Sequence, residues 1–291
     1  MPTAMAPAPG RSLHRHASSQ RSSVRSRYHR AMARLSAALT GMTEAAKLTD
    51  DNIRDAVKRW FGDDLFTSPL KTRQAVVDEF GEIGDWQVDE VTSMKNLFYN
   101  RSEFNEDLSR WDTSKVKDMS QMFQGASSFN QPVEAWDTSK VKDMSWMFYG
   151  ASSFNQPVEA WNTSRVEDMG HVFAGASSFN KPVEAWNTSR VKYMNHVFAG
   201  ASSFNKPVEA WDTSRVEDMG GMFLDASSFN QPVGAWDTSR VENMGGMFNS
   251  ASSFNKPVEA WDTSRVEIMT AMFYGVHASC PRPTWCPRPM P

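Results

Sequence analysis

Apolar side chains recur at a fixed interval of 25 residues through most of this chain. The units fit the pattern W-[DN]-T-S-[KR]-V-x-x-M-x-x-[MV]-F-x-x-A-S-S-F-N-x-P-V-x-A, after a degenerate first copy at Trp86, and the last copy departs from it after Gly275. The later copies begin at Trp111, Trp136, Trp161, Trp186, Trp211, Trp236 and Trp261. A fixed period of this length is typical of a solenoid, in which each unit buries its apolar face against its neighbours.

The spacing inside one unit predicts a helix. Val, Met, Val and Phe fall at i, i+3, i+6 and i+7, which is helical spacing and not the alternation of a strand: Val166, Met169, Val172 and Phe173. Ser164 and Glu167 fit an S-x-x-E capping box ahead of this run. Gly175 lies where a left-handed C-terminal residue is expected. We therefore expect a helix of about three turns near 165–174.

The rest of the unit predicts a turn and a short parallel strand. Pro182 cannot donate to a ladder, so the strand is expected after it, around Val183 to Trp186. One helix and one strand per unit define an α/β solenoid. Ordering 25 residues costs roughly 25–50 kcal/mol of backbone entropy, so one unit alone is expected to be unfolded.

Four segments follow from these patterns. Residues 1–45 are rich in Arg and Ser and are expected to form a disordered leader, while 46–85 are expected to form a helical N-terminal cap. The repeats occupy 86–275, and a Pro-rich disordered tail is expected over 276–291. An amphipathic stripe marks the first cap helix: Ile53, Ala56, Val57, Trp60 and Phe61.

Local signals also predict where the cap helices begin and end. Thr49 and Asp50 are suitable N-cap residues for the first helix. A second helix is predicted from Ser68, with Pro69 in its first turn, to Gly81.

Charge is distributed unevenly. Residues 1–43 carry seven Arg and no acid, so the remainder carries −10 within a chain of net charge −3. An acidic repeat body argues against a nucleic-acid surface. The chain has no apolar run of 18 residues, which argues against a membrane-spanning helix. The leader lacks the apolar core of a secretory signal and is compatible with an organellar transit peptide.

The repeat resembles the BspA-like leucine-rich-repeat surface proteins, most closely the 25-residue subtype first catalogued as a domain of unknown function in mycoplasmas. The resemblance covers residues 84–275. It departs at a column of prolines that replaces the family's usual acidic residue. One copy carries it through Phe129, Asn130, Val133, Trp136, Asp137, Thr138, Ser139, Val141, Met144, Met147, Phe148 and Ala151.

This resemblance implies a right-handed leucine-rich-repeat-like solenoid and a role in cell-surface or protein binding. It implies no catalytic residue and no cofactor. The expected function is therefore a non-enzymatic repeat protein that binds a protein or a cell-surface component. A structural, adhesin-like spacer of the cell envelope is the alternative.

Some positions vary between copies while the core does not, and we predict a partner-binding surface there. They are Asp168, Tyr193, Asp218, Asn243, Ile268, His171 and His196. The two histidines are 25 residues apart and are expected to stack in a solvent-facing column, where they could share a metal, although no third ligand of fixed spacing is evident. The repeated threonines, such as Thr163, allow an ice-binding array as a remote alternative.

Three asparagines of the chain lie in N-x-S sequons. Asn100, Asn162 and Asn187 are N-glycosylation candidates if the chain enters the secretory pathway.

Residues 276–291 have no amphipathic stripe, so the last unit is expected to be uncapped and to favour end-to-end self-association.

Overall fold

The structure is a computed structural model that describes residues 46–63, 69–281, 283 and 284. The predicted leader, Ser68 and most of the predicted tail lie outside these residues. The fold consists of two helices and a short 3₁₀ helix, followed by a stack of 25-residue units. Each unit is called a rung here and takes the name of its first tryptophan, so that residues 161–185 form the Trp161 rung.

Two helices form the N-terminal cap. Helix α1 spans Ile53–Phe61 and buries the predicted stripe, while Phe61 packs partly buried against the core. Helix α2 spans Pro69–Phe80 and ends before Gly81, which adopts a positive φ of 82°. A 3₁₀ helix over Ile83–Asp85 leads to Trp86. These bounds confirm both predicted helices.

The predicted N-cap of α1 is wrong. The capping position is Asn52, and no side chain caps it. Thr49 contributes its backbone carbonyl, which accepts from the Ile53 N–H at 3.0 Å. The Asp50 carboxylate points instead to the first rung, where it accepts from the Thr92 hydroxyl at 2.6 Å and from the Ser93 N–H at 3.0 Å. These bonds fasten the cap to the stack.

The predicted helix at 165–174 does not form. Within the described rungs, these positions adopt a chain of tight turns. Val172 N–H bonds to the Met169 carbonyl at 3.2 Å within the rung, whereas Phe173 N–H bonds to Val197 of the next rung at 2.9 Å. A helix would need both donors inside its own segment. In this rung one donor bonds within the unit and the other bonds to the next unit. Because no helix starts here, Ser164 and Glu167 do not form a capping box.

Left-handed residues reinforce this difference. His171 has a φ of 60° and Gly175 has a φ of 71°, and both positions are left-handed in every described rung. Such residues interrupt a right-handed helix because their backbone turns in the opposite sense. Glycine was correctly expected to be left-handed at 175. It serves a tight turn there and not a helix terminus.

The parallel pairing also lies elsewhere than predicted. Residues 183–186 include a turn, and the described rungs contain isolated parallel bridges in place of longer strands. Asp168 bridges to Asp143 on one side and to Tyr193 on the other. The bridge column runs through Ser93, Asp118, Asp143, Asp168, Tyr193, Asp218, Asn243 and Ile268. It therefore crosses the segment that was predicted to be helical.

Aromatic side chains form continuous columns through the buried core. Phe173 stacks on Phe148 with ring centroids 5.7 Å apart and lies 3.9 Å from Phe179 of its own rung. Trp186 stacks on Trp161 at 6.3 Å, and its indole N–H donates to the Val158 carbonyl at 2.9 Å. Each rung thus completes the core of the one before it, which explains the unbroken 25-residue period.

Polar side chains connect the rungs as well. The Thr188 hydroxyl is buried and donates to the Asp212 carbonyl at 2.9 Å. The Asn180 side-chain oxygen accepts from the Asn205 N–H at 3.1 Å, and the same bond repeats along the asparagine column. A buried polar group that is hydrogen-bonded avoids the cost of desolvation.

The Trp261 rung differs from the earlier rungs in burial. Val266 and Met269 are partly exposed there, although the equivalent residues of the preceding rungs are buried. Val276 packs partly buried against the core, and Cys280 belongs to the core cluster.

Candidate functional site

One surface of the stack carries the variation between copies. It runs in each rung from the bridge residue to the second left-handed residue, and we call it the variable face. Its residues are 93–100, 118–125, 143–150, 168–175, 193–200, 218–225, 243–250 and 268–275. The turns leave the first, fourth and last residues of each segment at least partly exposed, with the exception of Gly221, while the Met, Val and Phe between them point into the core.

All seven predicted partner-binding residues lie on the variable face. Asp168, Tyr193, Asp218, Asn243 and Ile268 occupy the bridge column, so the structure places them in one line along the stack. Tyr193 and Ile268 are exposed, and the three polar members are half-buried. The sequence therefore identified a contiguous column, although it assigned that column to a helix.

The carboxylate of Asp168 lies half-buried in this column. It accepts from the Gly170 N–H at 2.8 Å, as Asp218 does from Gly220 and Asn243 from Gly245. Burial raises the pKa of Asp168, and the neighbouring carboxylate of Asp143 raises it further. The acid is held in place by its own turn.

His171 and His196 stack as predicted, but they are not simply solvent-facing. Their ring centroids lie 4.6 Å apart with 8° between the planes, and Trp146 stacks on His171 at 3.7 Å. Both histidines are half-buried. Burial lowers the pKa of His171 to about 4, with a smaller effect from His196, and burial also lowers the pKa of His196. Both rings are therefore neutral at pH 7.

The histidine pair is not joined by further metal-ligating groups. Among the described residues, no group of three or more His, Cys, Asp or Glu side chains is placed to hold a metal ion. Asn195 approaches His171 Nδ1 at 3.4 Å, and His196 Nδ1 is buried without a hydrogen-bond partner. The described residues therefore offer no support for a shared metal ion beyond the two histidines themselves.

The exposed aromatic residues of the described chain are concentrated on the variable face. Five large apolar side chains have exposed fractions between 38% and 67%, and all five occupy two of its columns. They are Tyr99, Tyr149, Tyr193, Tyr274 and Ile268. Tyrosine is enriched at protein interfaces because it combines a large apolar surface with a polar tip.

Sequence reasoning missed one of these two columns. Tyr149 falls at the repeat position of Ala174, Ala199 and Leu224, which varies as strongly as the bridge column. The signal was available in the copies themselves. The position holds Tyr, Gln, Ala, Leu and Asn in different copies.

In the part of the chain that the structure describes, concave regions of the variable face include one beside the cap and one in the middle of the stack. The larger, about 520 Å³, lies beside the cap and includes Arg54, Lys58, Tyr99 and Arg101 in its lining. Arg101 pairs with Asp63, and Arg54 bonds to the Ser93 hydroxyl at 3.3 Å. Most of its cationic groups thus help to hold the cap to the stack.

The smaller region, about 380 Å³, lies in the middle of the stack, and we call it the central notch. Trp146 and Tyr149 form one end, Leu224 and Asp225 form the other, and the histidine pair lies between them. Alanine and glycine form the remaining lining: Gly150, Ala174, Gly175, Ala199 and Gly200. Two successive rungs lack the larger side chains found at either end.

The structure argues against the remote alternative of an ice-binding array. Thr163 and its equivalents from Thr113 to Thr238 are at most 2% exposed, and their hydroxyls donate to carbonyls of the next rung. An ice-binding array needs flat, exposed threonines. Here the threonines connect adjacent rungs internally.

The three sequon asparagines are exposed. Asn162 and Asn187 each accept at their side-chain oxygen from a serine two residues later, with Ser164 N–H at 3.1 Å in the first case. Aspartate makes the same turn at Asp137, where the Ser139 hydrogen bonds lower the pKa of the carboxyl. Asn100 is the left-handed residue at the edge of the variable face. Glycosylation at these sites stays a prediction.

Comparison with protein families gives the repeat a family. Residues 70–186 and 168–284 each match the family described as Mycoplasma protein of unknown function, DUF285. The chain belongs to this family. The match confirms the mycoplasma-type repeat that the sequence resembled, while the BspA-like name is a finer assignment. No curated protein and no solved structure matches the chain.

In the described part of the chain, no helix is both long and apolar enough to cross a membrane. Helices α1 and α2 contain nine and 12 residues.

Proposed function

We propose that this protein is a non-enzymatic binding scaffold that engages a protein partner through its variable face. One observation carries the proposal: the exposed tyrosines and Ile268 of the described chain all lie on this face. Repeat proteins build recognition surfaces by varying exposed positions on a constant core.

The energetics of interfaces support this assignment. Anchors such as Tyr149 and Tyr193 supply large apolar area at a small entropic cost, and interface hot spots are enriched in tyrosine. The backbone beneath them is fixed by bonds to the next rung, such as Gly150 N–H to the Ala174 carbonyl at 2.7 Å. A rigid surface loses little entropy on binding.

Site-specific photo-crosslinking tests the proposal. A photoreactive phenylalanine analogue at Tyr149 or Tyr193 is expected to give the same crosslinked protein product. The matched control places the analogue at Glu184, an exposed residue outside the variable face. Equal crosslinking from Glu184, or none from the tyrosines, would contradict the proposal.

The captured partner then allows a quantitative test. The substitutions Tyr149→Ser and Tyr193→Ser are expected to weaken its binding by about thirtyfold in combination, equivalent to about 2 kcal/mol for a hot spot. Glu184→Ser is the control and should leave the affinity unchanged. Unchanged affinity in the double tyrosine variant would place the interface elsewhere.

A structural spacer of the cell envelope is the second candidate. Continuous bonding between rungs favours it, because each rung donates several backbone hydrogen bonds to the next. The two functions differ in their response to deletion of one 25-residue unit. A spacer should lose function gradually with length. A binding scaffold should lose it abruptly when the unit that carries Tyr149 is removed.

The proposed function extends to the relationship with BspA-like leucine-rich-repeat proteins. We propose that the stack is a leucine-rich-repeat-like solenoid of the BspA-like type, with a role at a cell surface. The parallel bridges and the periodic core support this relationship. Circular dichroism should show little helix beyond the cap.

A further inference from the structure

The central notch has the shape of a site for one side chain of a partner. Tyr149 ends a column of larger side chains, Ala174 and Ala199 leave that column open for two rungs, and Leu224 closes it. The notch is therefore bounded at both ends along the stack.

Its charge is acidic. Asp225 is exposed, and its carboxylate makes no hydrogen bond or ion pair with any described residue. No lysine or arginine is among the described residues that line the notch. The imidazoles of His171 and His196 contribute no positive charge at pH 7, because burial lowers the pKa of both.

Asp225 is the charged group at the far end of the notch. Its φ of 56° belongs to the fold, because Asn100 and Ser250 are left-handed at the same repeat position. In the rungs that line the rest of the notch this position is glycine, at Gly150, Gly175 and Gly200. The carboxylate therefore stands at one end of a notch whose remaining rim has no side chain at this position.

We propose that the central notch binds an arginine side chain of a protein partner. The inference rests on the proposed binding function and identifies the chemistry of one contact. The arginine guanidinium pairs with the Asp225 carboxylate at one end of the notch, and the arginine stem extends towards the aromatic end formed by Trp146 and Tyr149. The apolar stem of arginine packs on surfaces like those of Ala199 and Leu224.

Arginine fits this lining better than an uncharged aromatic side chain does. The aromatic wall at Trp146 and Tyr149 would accept either group. Only a cation gains from the unpaired carboxylate at Asp225. The neutral imidazole edges can donate or accept hydrogen bonds without repelling a positive charge.

The test is an NMR titration of the full chain with N-acetyl-arginine amide. N-acetyl-citrulline amide is the matched probe, since it has nearly the same shape and no charge. Arginine amide is expected to shift the Ala174 and Ala199 methyl signals and the His196 ring signals saturably. Citrulline amide should bind about fivefold more weakly, which corresponds to the loss of one exposed ion pair.

Two variants connect the binding to the notch. Asp225→Asn should remove most of the preference for arginine amide over citrulline amide. Ala199→Leu should abolish the shifts by filling the notch, and Leu224 shows that leucine is compatible with this repeat position. Ala185→Leu is the control, because Ala185 is exposed outside the variable face. Unchanged backbone spectra establish that each variant is folded.

Three outcomes would overturn the inference. They are equal binding of the two probes, retained shifts in the Ala199→Leu variant, and tighter binding of N-acetyl-tryptophan amide than of arginine amide. None of them would affect the broader binding function, because crosslinking from Tyr193 does not depend on the notch. Loss of crosslinking with intact arginine binding would instead contradict the proposed function and leave the arginine site in place.

Discussion

The imidazole ring of His196 lies directly over Gly221 of the next rung. A methyl group at Gly221 would stand 2.6 Å from the ring Cδ2, well inside normal contact. Gly221 is also left-handed, with a φ of 60°. The end of the aromatic column Trp146–His171–His196 thus requires a residue without a side chain in the rung above it.

Gly221→Ala is therefore expected to destabilise the protein more than Gly246→Ala. Both glycines have nearly the same φ, so both substitutions carry a left-handed penalty of about 1 kcal/mol. A methyl group at Gly246 meets only ordinary contact at 3.9 Å. The overlap with His196 should add about 1–3 kcal/mol, measured by urea unfolding. In a His196→Asn background the difference should disappear, and equal costs in the native background would contradict the ring placement.

The stacked histidines predict that stability depends on pH. Burial and, to a smaller extent, His196 lower the pKa of His171 to about 4, from 6.5 in the unfolded chain. Between these values the unfolded chain binds more protons than the folded chain, so the free energy of unfolding falls as pH falls from 6.5 to 4. His196 acts in the same direction. Melting temperatures across this range measure the effect.

The control for this prediction replaces both histidines by asparagine. Asn96 occupies the same repeat position with a φ of 60°, so asparagine is compatible with the backbone there. The double variant should lose most of the decline above pH 4.5. A decline of the same size would assign the effect to other groups.

Asp168→Asn is expected to stabilise the protein at pH 7. The substitution removes a charge whose pKa is raised first by burial and then by Asp143. Asn243 makes the same bond to its own turn, with Gly245 N–H at 2.9 Å. The gain should be below about 1 kcal/mol, as for most half-exposed sites. It should shrink as pH falls and Asp168 becomes protonated, and a loss of stability would show that the charge is needed.

Thr188→Val is expected to cost about 1 kcal/mol. It replaces a buried hydroxyl that donates to the Asp212 carbonyl at 2.9 Å, while the shape of the side chain is kept. Thr263 has the same repeat position but is half-exposed, so Thr263→Val should cost less. Thermal unfolding of the two variants gives the comparison. Equal costs would mean that the bond between rungs contributes little.

The sequence by itself determined the period, the core and the cap. Residues such as Phe173 and Trp186 recur every 25 positions because each must stack on its counterpart in the next rung. The cap helices were predictable because α1 has an apolar stripe and α2 starts at a proline. These features depend on local spacing and on composition, which a single chain displays directly.

The tertiary structure decided the conformation inside each rung and the location of the notch. An i, i+3 apolar spacing fits a helix and also fits successive turns. The choice depended on whether donors such as Phe173 N–H find a better acceptor in their own segment or in the next rung. That acceptor lies 24 residues away, so no local pattern reveals it. The same stacking brought Tyr149, His196 and Asp225 to one site, because four successive rungs had to be placed in register before their side chains could line one notch.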